Sequence, residues 1–65
     1  MFQITLKAAR VNAGLTIIEA AKALGLGKDT LIKYEKRPEL CNTLLQDRFS
    51  AVYHMPIDNI FFGKN

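Results

Sequence analysis

Residues 17–36 read IIEAAKALGLGKDTLIKYEK, with apolar positions at helical spacing on both sides of Gly25-Leu26-Gly27. This spacing predicts two short amphipathic helices. Gly25 suits the tight turn between them, because a residue without a Cβ adopts positive φ at little cost. Ala21 is small where the two helices must approach each other. The apolar positions expected to face inward are Ala20, Leu24, Leu26, Leu31 and Tyr34.

Signals for helix ends continue the pattern in both directions. Thr16 and Glu19 have the spacing of a capping box, and Gly14 is a typical stop for a preceding helix. Pro38 ends the helix before it, and Asn42 is a favoured N-cap for the next. We therefore expect an all-α fold, a compact bundle of five short helices at about residues 3–13, 17–24, 28–36, 42–53 and 57–62.

Length and composition narrow the class of protein. A chain of 65 residues, 49% hydrophobic and 23% charged, predicts a single globular domain over residues 1–65. One cysteine, Cys41, excludes an intrachain disulfide, and with the single His54 it is too few ligands for a structural zinc site. There is no apolar run long enough to span a membrane and no signal peptide pattern. We expect a cytoplasmic protein without metal, cofactor or small-molecule ligand.

The charge balance permits one class of partner. Nine Lys and Arg against six Asp and Glu give a net charge of +3 and a pI of about 9.3. This balance is compatible with nucleic-acid binding but is shared by many other small proteins. The sequence contains no nucleophile–base pair, carboxylate dyad or phosphate-cradling Gly-rich loop. We therefore expect a binding protein and not an enzyme.

Two short helices joined across a Gly-containing turn form a helix-turn-helix, and at this point the sequence resembles a known family. It is similar to the Cro and phage-repressor type of helix-turn-helix domain, also called the Xre family. The resemblance covers about residues 4–62. It is carried by five pieces in order: LKAAR at 6–10, GLTIIEAA at 14–21, LGL at 24–26, TLIKYE at 30–35 and MPIDNIF at 55–61.

The resemblance implies a DNA-binding bundle of five helices whose third helix enters the major groove. Its base-reading residues are then Lys28, Asp29, Ile32 and Lys33. Lysine donates to guanine, aspartate accepts from the cytosine amino group, and isoleucine contacts the thymine methyl group. The implied phosphate contacts are Thr16, Ile17, Thr30, Lys36, Arg37, Asn42 and Thr43.

Further positions carry over from the same resemblance. Arg10 and Glu35 occupy the places of an ion pair between the first and third helices. Two features depart from the family pattern: Ile17 stands where glutamine is usual, and the loop at 36–40 is shorter than usual. The family's dimers on palindromic operators lead us to expect a homodimer, with a candidate dimer patch formed by Ile57, Ile60, Phe61 and Phe62. At least one of the two phenylalanines is expected in the core, and the other, with Ile57 or Ile60, either forms the patch or covers the bundle.

Several of these residues have a plainer interpretation. Asp29 either reads a base or stabilises the first turn of its helix through the dipole. Ile32 either meets a thymine or is an ordinary exposed apolar residue. His54 is expected to stabilise the end of the fourth helix, and Cys41 to be a small packing residue.

Two functional hypotheses follow. The first is a sequence-specific double-stranded DNA-binding transcriptional regulator, a phage- or prophage-type repressor acting by promoter occlusion. The second is a protein-interaction module on the same fold, antitoxin-like or antirepressor-like, suggested by Ile17, Ile18 and Ile32 near the expected DNA face. Salt dependence separates the two, because DNA binding weakens steeply with salt through counterion release.

Overall fold

The computed structural model describes residues 2–63; Met1, Lys64 and Asn65 lie outside the described residues. Within this range the regular structure is helical, with four α-helices where the sequence predicted five. Two single 3₁₀ turns, Pro38–Leu40 and Ile57–Asn59, precede and follow the last of them. The helices are α1 (Leu6–Asn12), α2 (Ile17–Leu24), α3 (Lys28–Lys36) and α4 (Thr43–Tyr53).

Three of the four α-helices, α1, α2 and α4, begin where a side chain caps them. The Thr5 hydroxyl accepts a hydrogen bond from the Ala8 N–H at 3.0 Å. At α2 the capping box is complete: the Glu19 N–H donates to the Thr16 hydroxyl at 3.1 Å, and the Thr16 N–H donates to the Glu19 carboxylate at 2.9 Å. The Asn42 side chain accepts from the Leu45 N–H at 2.8 Å. Each bond satisfies a donor that the helix itself leaves without a partner.

The predicted fifth helix at 57–62 is wrong, and so is the start of the first at residue 3. The two segments pair with each other instead, in an isolated parallel bridge between Ile4 and Ile60. The Ile4 N–H donates to the Asn59 carbonyl at 2.9 Å, and the Phe61 N–H donates to the Ile4 carbonyl at 2.8 Å. The extended backbone at Ile60 limits the helical segment before it to one 3₁₀ turn. On the other side of the bridge, α1 begins at Leu6, after its N-cap Thr5.

The turn between α2 and α3 has the conformation that its sequence predicts. Gly25 ends α2 in the left-handed region, with φ of 74°. The Leu26 N–H donates back to the Ala21 carbonyl at 2.9 Å, and an Arg48 guanidinium N–H from α4 donates to the Leu24 carbonyl at 2.9 Å. These bonds satisfy the carbonyls at the end of α2, and α3 begins at a defined position beside it.

One buried cluster joins all four helices. Tyr53 and Phe49 of α4 are its largest fully buried side chains. Their ring centroids lie 5.6 Å apart in a tilted arrangement, which is a favoured geometry for aromatic pairs. Burial of this apolar surface is the main source of stability for so small a fold. The buried apolar residues are Leu6, Ala9, Ala20, Ala21, Leu24, Leu31, Cys41, Phe49, Tyr53 and Ile60.

Candidate nucleic-acid interface

The four residues predicted to read bases all lie on α3. Leu31 is fully buried and marks the inward side, and successive residues turn by about 100° around the helix. Asp29 and Lys33 are exposed on the opposite side, Lys28 is exposed at the first position of the helix, and Ile32 lies half-buried between the inward and outward sides. The helix thus presents two ammonium donors, one carboxylate acceptor and one apolar side chain.

Two of these side chains have local interactions that bear on their availability. The Lys33 ammonium lies 5.5 Å from the centre of the Tyr34 ring, a contact worth about 0.5–1 kcal/mol at an exposed site. Asp29 lies in the first turn of α3, whose N-cap Gly27 provides no side-chain hydrogen bond. A carboxylate there interacts favourably with the helix dipole, so both interpretations of Asp29 remain open.

A buried ion pair joins α3 to α1. Arg10 Nε of α1 donates to Glu35 Oε2 of α3 at 2.7 Å, and both side chains are about 10% exposed. A second nitrogen of Arg10 donates to the Leu15 carbonyl at 3.0 Å. The structure therefore brings Arg10 and Glu35 together. The guanidinium joins α1, the segment before α2, and α3.

The start of α2 lies beside α3 and is suited to an anion. The capping box occupies the N–H groups of Thr16 and Glu19. The N–H groups of Ile17 and Ile18 belong to the first turn, where a helix provides no internal acceptor, and such groups attract phosphate. The Thr16 side chain is exposed and the Ile17 side chain is half-buried against the core.

The end of α3, the segment after it and the start of α4 place further polar groups at the surface. Lys36 and Arg37 are exposed, and Arg37 Nε donates to the Glu39 carboxylate at 3.2 Å. Exposed ion pairs contribute little stability, so Arg37 can exchange this partner for a phosphate. The side-chain Oδ1 of Asn42 caps α4, which leaves the side-chain NH₂ group to donate. Thr43 is exposed and Thr30 half-buried.

A cleft of about 350 Å³ lies between α1, α2 and α3. Ile17 and Ile32 form its apolar part, and the Arg10–Glu35 pair borders it. Lys7 and Lys36 complete the lining. Sequence reasoning missed Lys7 as a member of this surface; its spacing of three residues from Arg10 on one helix was the available signal.

A protein-family model described as Helix-turn-helix matches residues 6–39, just over half of the chain. The chain belongs to the Cro/C1-type, Xre-like helix-turn-helix family. It is a family of DNA-binding transcription regulators, and the partner it implies is double-stranded DNA. Neither the curated proteins nor the solved structures contain a match to the chain. The matched segment comprises α1, α2 and α3, the three helices around the cleft.

The candidate dimer patch of this helix-turn-helix protein is changed by the structure. Ile60 is only 1% exposed, so the prediction that it contributes to an exposed patch is wrong; the bridge to Ile4 turns it into the core. Phe62 is half-buried, with its ring 6.3 Å from that of Phe49. Phe61 is 45% exposed, and the half-buried Ile57 lines the same surface pocket. A smaller patch centred on Phe61 and Ile57 remains.

Cys41 and His54 are the two titratable residues for which the sequence predicted a structural role. Burial, reinforced by the Glu39 carboxylate, raises the pKa of the Cys41 thiol to about 11. His54 ends α4 with a left-handed φ of 53°, and its N–H donates to the Ser50 carbonyl.

Residues 2–63 contain no group of three or more His, Cys, Asp or Glu side chains arranged to hold a metal ion. None of the helices they form is long and apolar enough to cross a membrane.

Proposed function

We propose that this chain is a sequence-specific transcriptional repressor of phage or prophage type. It binds a palindromic operator as a homodimer, with α3 in the major groove, and prevents transcription by covering the promoter. The observation that carries this proposal is the outer face of α3. There Lys28, Asp29 and Lys33 are exposed together, on a helix held in place by the Arg10–Glu35 pair.

The chemistry of this face suits the major groove. Lysine ammonium groups donate to guanine O6 and N7, and an aspartate oxygen accepts from cytosine N4. On either side, the first turn of α2 and the residues Lys36, Arg37, Asn42 and Thr43 provide donors for the flanking phosphates. Phosphate contacts set the position of the helix, and base contacts provide the specificity.

The size of the molecule supports a dimer. The fold measures 29 × 22 × 18 Å, which is close to one turn of DNA, and one α3 helix spans only a few base pairs. Half-sites one turn apart, about 34–36 Å, require two copies related by a two-fold axis. Phe61 and Ile57 are the apolar residues that we assign to their contact. Such a dimer covers about two turns, enough to compete with polymerase for a promoter.

Lysine substitutions test the base-reading assignments. If Lys28 or Lys33 makes a bidentate base contact, its change to alanine costs about 1–3 kcal/mol at the preferred site and relaxes specificity there. Lys36→Ala weakens binding to all sequences alike and flattens the salt dependence by about one unit of slope. Affinities are measured by fluorescence anisotropy on selected and scrambled duplexes at several salt concentrations.

Lys22→Ala is the matched control, because it removes the same charge from α2. Lys22 lies beside Arg48 and Ala51 of α4, away from the outer face of α3. If Lys28→Ala and Lys33→Ala bind the selected site as well as Lys22→Ala does, these residues do not read bases.

One observation favours a second function, a protein-interaction module on the same fold. Ile18 is 64% exposed on α2, next to Ile17 and the cleft. An apolar contact with a partner protein is nearly insensitive to salt, whereas DNA binding is not. A salt-insensitive complex with a protein, without DNA binding at low salt, would favour this alternative.

A further inference from the structure

The cleft between α1, α2 and α3 contains an apolar side chain, Ile32, whose partial burial the core does not explain. Ile17, the first residue of α2, is half-buried and packs against the core. Ile32 is also half-buried, yet it is not one of the half-buried side chains that pack on the core cluster of residues 2–63. Both isoleucines line the same cleft of about 350 Å³.

The border of this apolar surface is cationic. Lys7 and Lys36 line the cleft, and both are exposed. Lys28 lies one turn before Ile32 on α3, as Lys36 lies one turn after it, so the three side chains form one stripe. Arg10 and Glu35 neutralise each other at 2.7 Å. The cleft therefore suits an apolar group that is carried by a polyanion.

We propose that the cleft formed by Ile17 and Ile32 receives the 5-methyl group of a thymine in the major groove. The proposal rests on the proposed function and adds a specificity-determining role for Ile17, a residue first assigned to phosphate contact. Thymine is the base whose major-groove edge carries a methyl group. With α3 in the groove, Lys7 and Lys36 on either side are placed for the phosphates that flank this base.

A phosphate is better placed at the lysines on the border than against the two isoleucine side chains, because an anion buried on apolar surface loses hydration that those side chains do not replace. An apolar peptide segment fits the isoleucines but not the surrounding ammonium groups, which its approach would desolvate. The methyl group of a base satisfies both conditions: it buries apolar surface while the DNA backbone meets the lysines.

The experiment replaces each thymine of a selected duplex, one at a time, by deoxyuridine. This substitution removes the methyl group and leaves every hydrogen-bonding group of the base in place. For the wild-type protein we expect one thymine per half-site at which binding weakens about four-fold, the effect of one buried methyl group. Ile32→Ala abolishes this difference between thymine and uracil, and Ile17→Val reduces it.

Ile18→Ala is the matched control, since Ile18 is an exposed isoleucine of α2 outside the cleft; it retains the four-fold difference. Thermal unfolding of each variant shows whether it is folded. The thymine-to-deoxyuridine series with the wild-type protein tests the proposal even if a variant does not fold. The proposal is overturned if no thymine is sensitive, if the selected half-site has no thymine, or if Ile32→Ala keeps the full difference. Failure of the wild type to bind any duplex would overturn the proposed function as well.

Discussion

Arg10 is a charged residue in the interior of a very small protein, with only 8% of its surface exposed. From its place in α1, the Arg10 guanidinium donates to the Leu15 carbonyl and to the Glu35 carboxylate of α3. These two hydrogen bonds explain why the charge is tolerated there. Such a pair adds little net stability relative to well-packed apolar residues, but leaving one partner alone is costly. We therefore interpret the pair as a device that fixes the position of α3.

Glu35→Ala should lower the free energy of unfolding by about 3 kcal/mol, because it leaves the Arg10 guanidinium buried without its carboxylate. Urea denaturation measures the change. The double variant Arg10→Met with Glu35→Leu should recover most of the loss, since apolar side chains replace both charges. A loss under about 0.5 kcal/mol for Glu35→Ala would mean that the pair behaves as a surface ion pair.

Tyr53→Phe should leave the protein as stable or make it more stable. The Tyr53 ring is 1% exposed, and its hydroxyl has no hydrogen-bond partner among residues 2–63. Removing an unpaired buried hydroxyl recovers up to about 1–3 kcal/mol of desolvation. The melting temperatures of the two proteins test this, with Tyr34→Phe as the comparison at a half-buried position. A clear drop for Tyr53→Phe would show that the hydroxyl is satisfied in solution.

At the scale of elements, local signals located α2, α3 and the start of α4. Thr16, Gly25 and Asn42 act through hydrogen bonds or φ values within a few residues along the chain, so a sequence pattern is enough to place them. The segment at 57–62 has a helical pattern as well, but the Ile4–Ile60 bridge joins residues at opposite ends of the chain. No local pattern reports such a pairing, and the predicted fifth helix was wrong for that reason.

Thr16→Ala should reduce stability by about 1 kcal/mol, because the capping box of α2 loses the acceptor for the Glu19 N–H. Thr16→Ser keeps the hydroxyl and is the matched control. Chemical denaturation of the three proteins gives the comparison. Since α2 also begins at the proposed phosphate contact, DNA affinity is measured in parallel; equal stability of Thr16→Ala and Thr16→Ser would contradict the role of the cap.

At the scale of the whole molecule, burial affects two groups that titrate in the alkaline range. It raises the pKa of Cys41 from 9.0 to about 11. It also raises the pKa of Tyr53 from 10.0 to about 12, where Glu35 adds to the effect and Arg10 opposes it. The folded protein therefore keeps both protons at pH values where the unfolded chain releases them.

Stability should consequently fall as the pH rises above about 9, by up to about 1.4 kcal/mol per pH unit for each group. Below pH 9 both groups are protonated in either state and contribute no slope. Melting temperatures between pH 7 and pH 10.5 test the prediction, and Cys41→Ala should remove the earlier part of the fall. A melting temperature that rises from pH 9 to pH 10.5 would contradict it.

The candidate interface could be predicted in part. The resemblance placed Lys28, Asp29 and Lys33, and the structure leaves them exposed on one face of α3. Arg10 and Glu35 are 25 residues apart in sequence, and only the family pattern indicated that they would meet. The cleft with Lys7 at its border was not foreseen, because it depends on how three helices pack. The burial of Ile60 was missed for the same reason as the chain-end pairing.

Selection of bound duplexes from a random DNA pool, at two salt concentrations, tests the central claim most directly. We predict enrichment of a short inverted repeat with half-sites about one helical turn apart and binding that weakens steeply with salt. Enrichment of a single half-site would retain the DNA reader and remove the dimer. Absence of binding even at low salt, or binding without any preferred sequence, would contradict the proposal that α3 of this protein reads DNA.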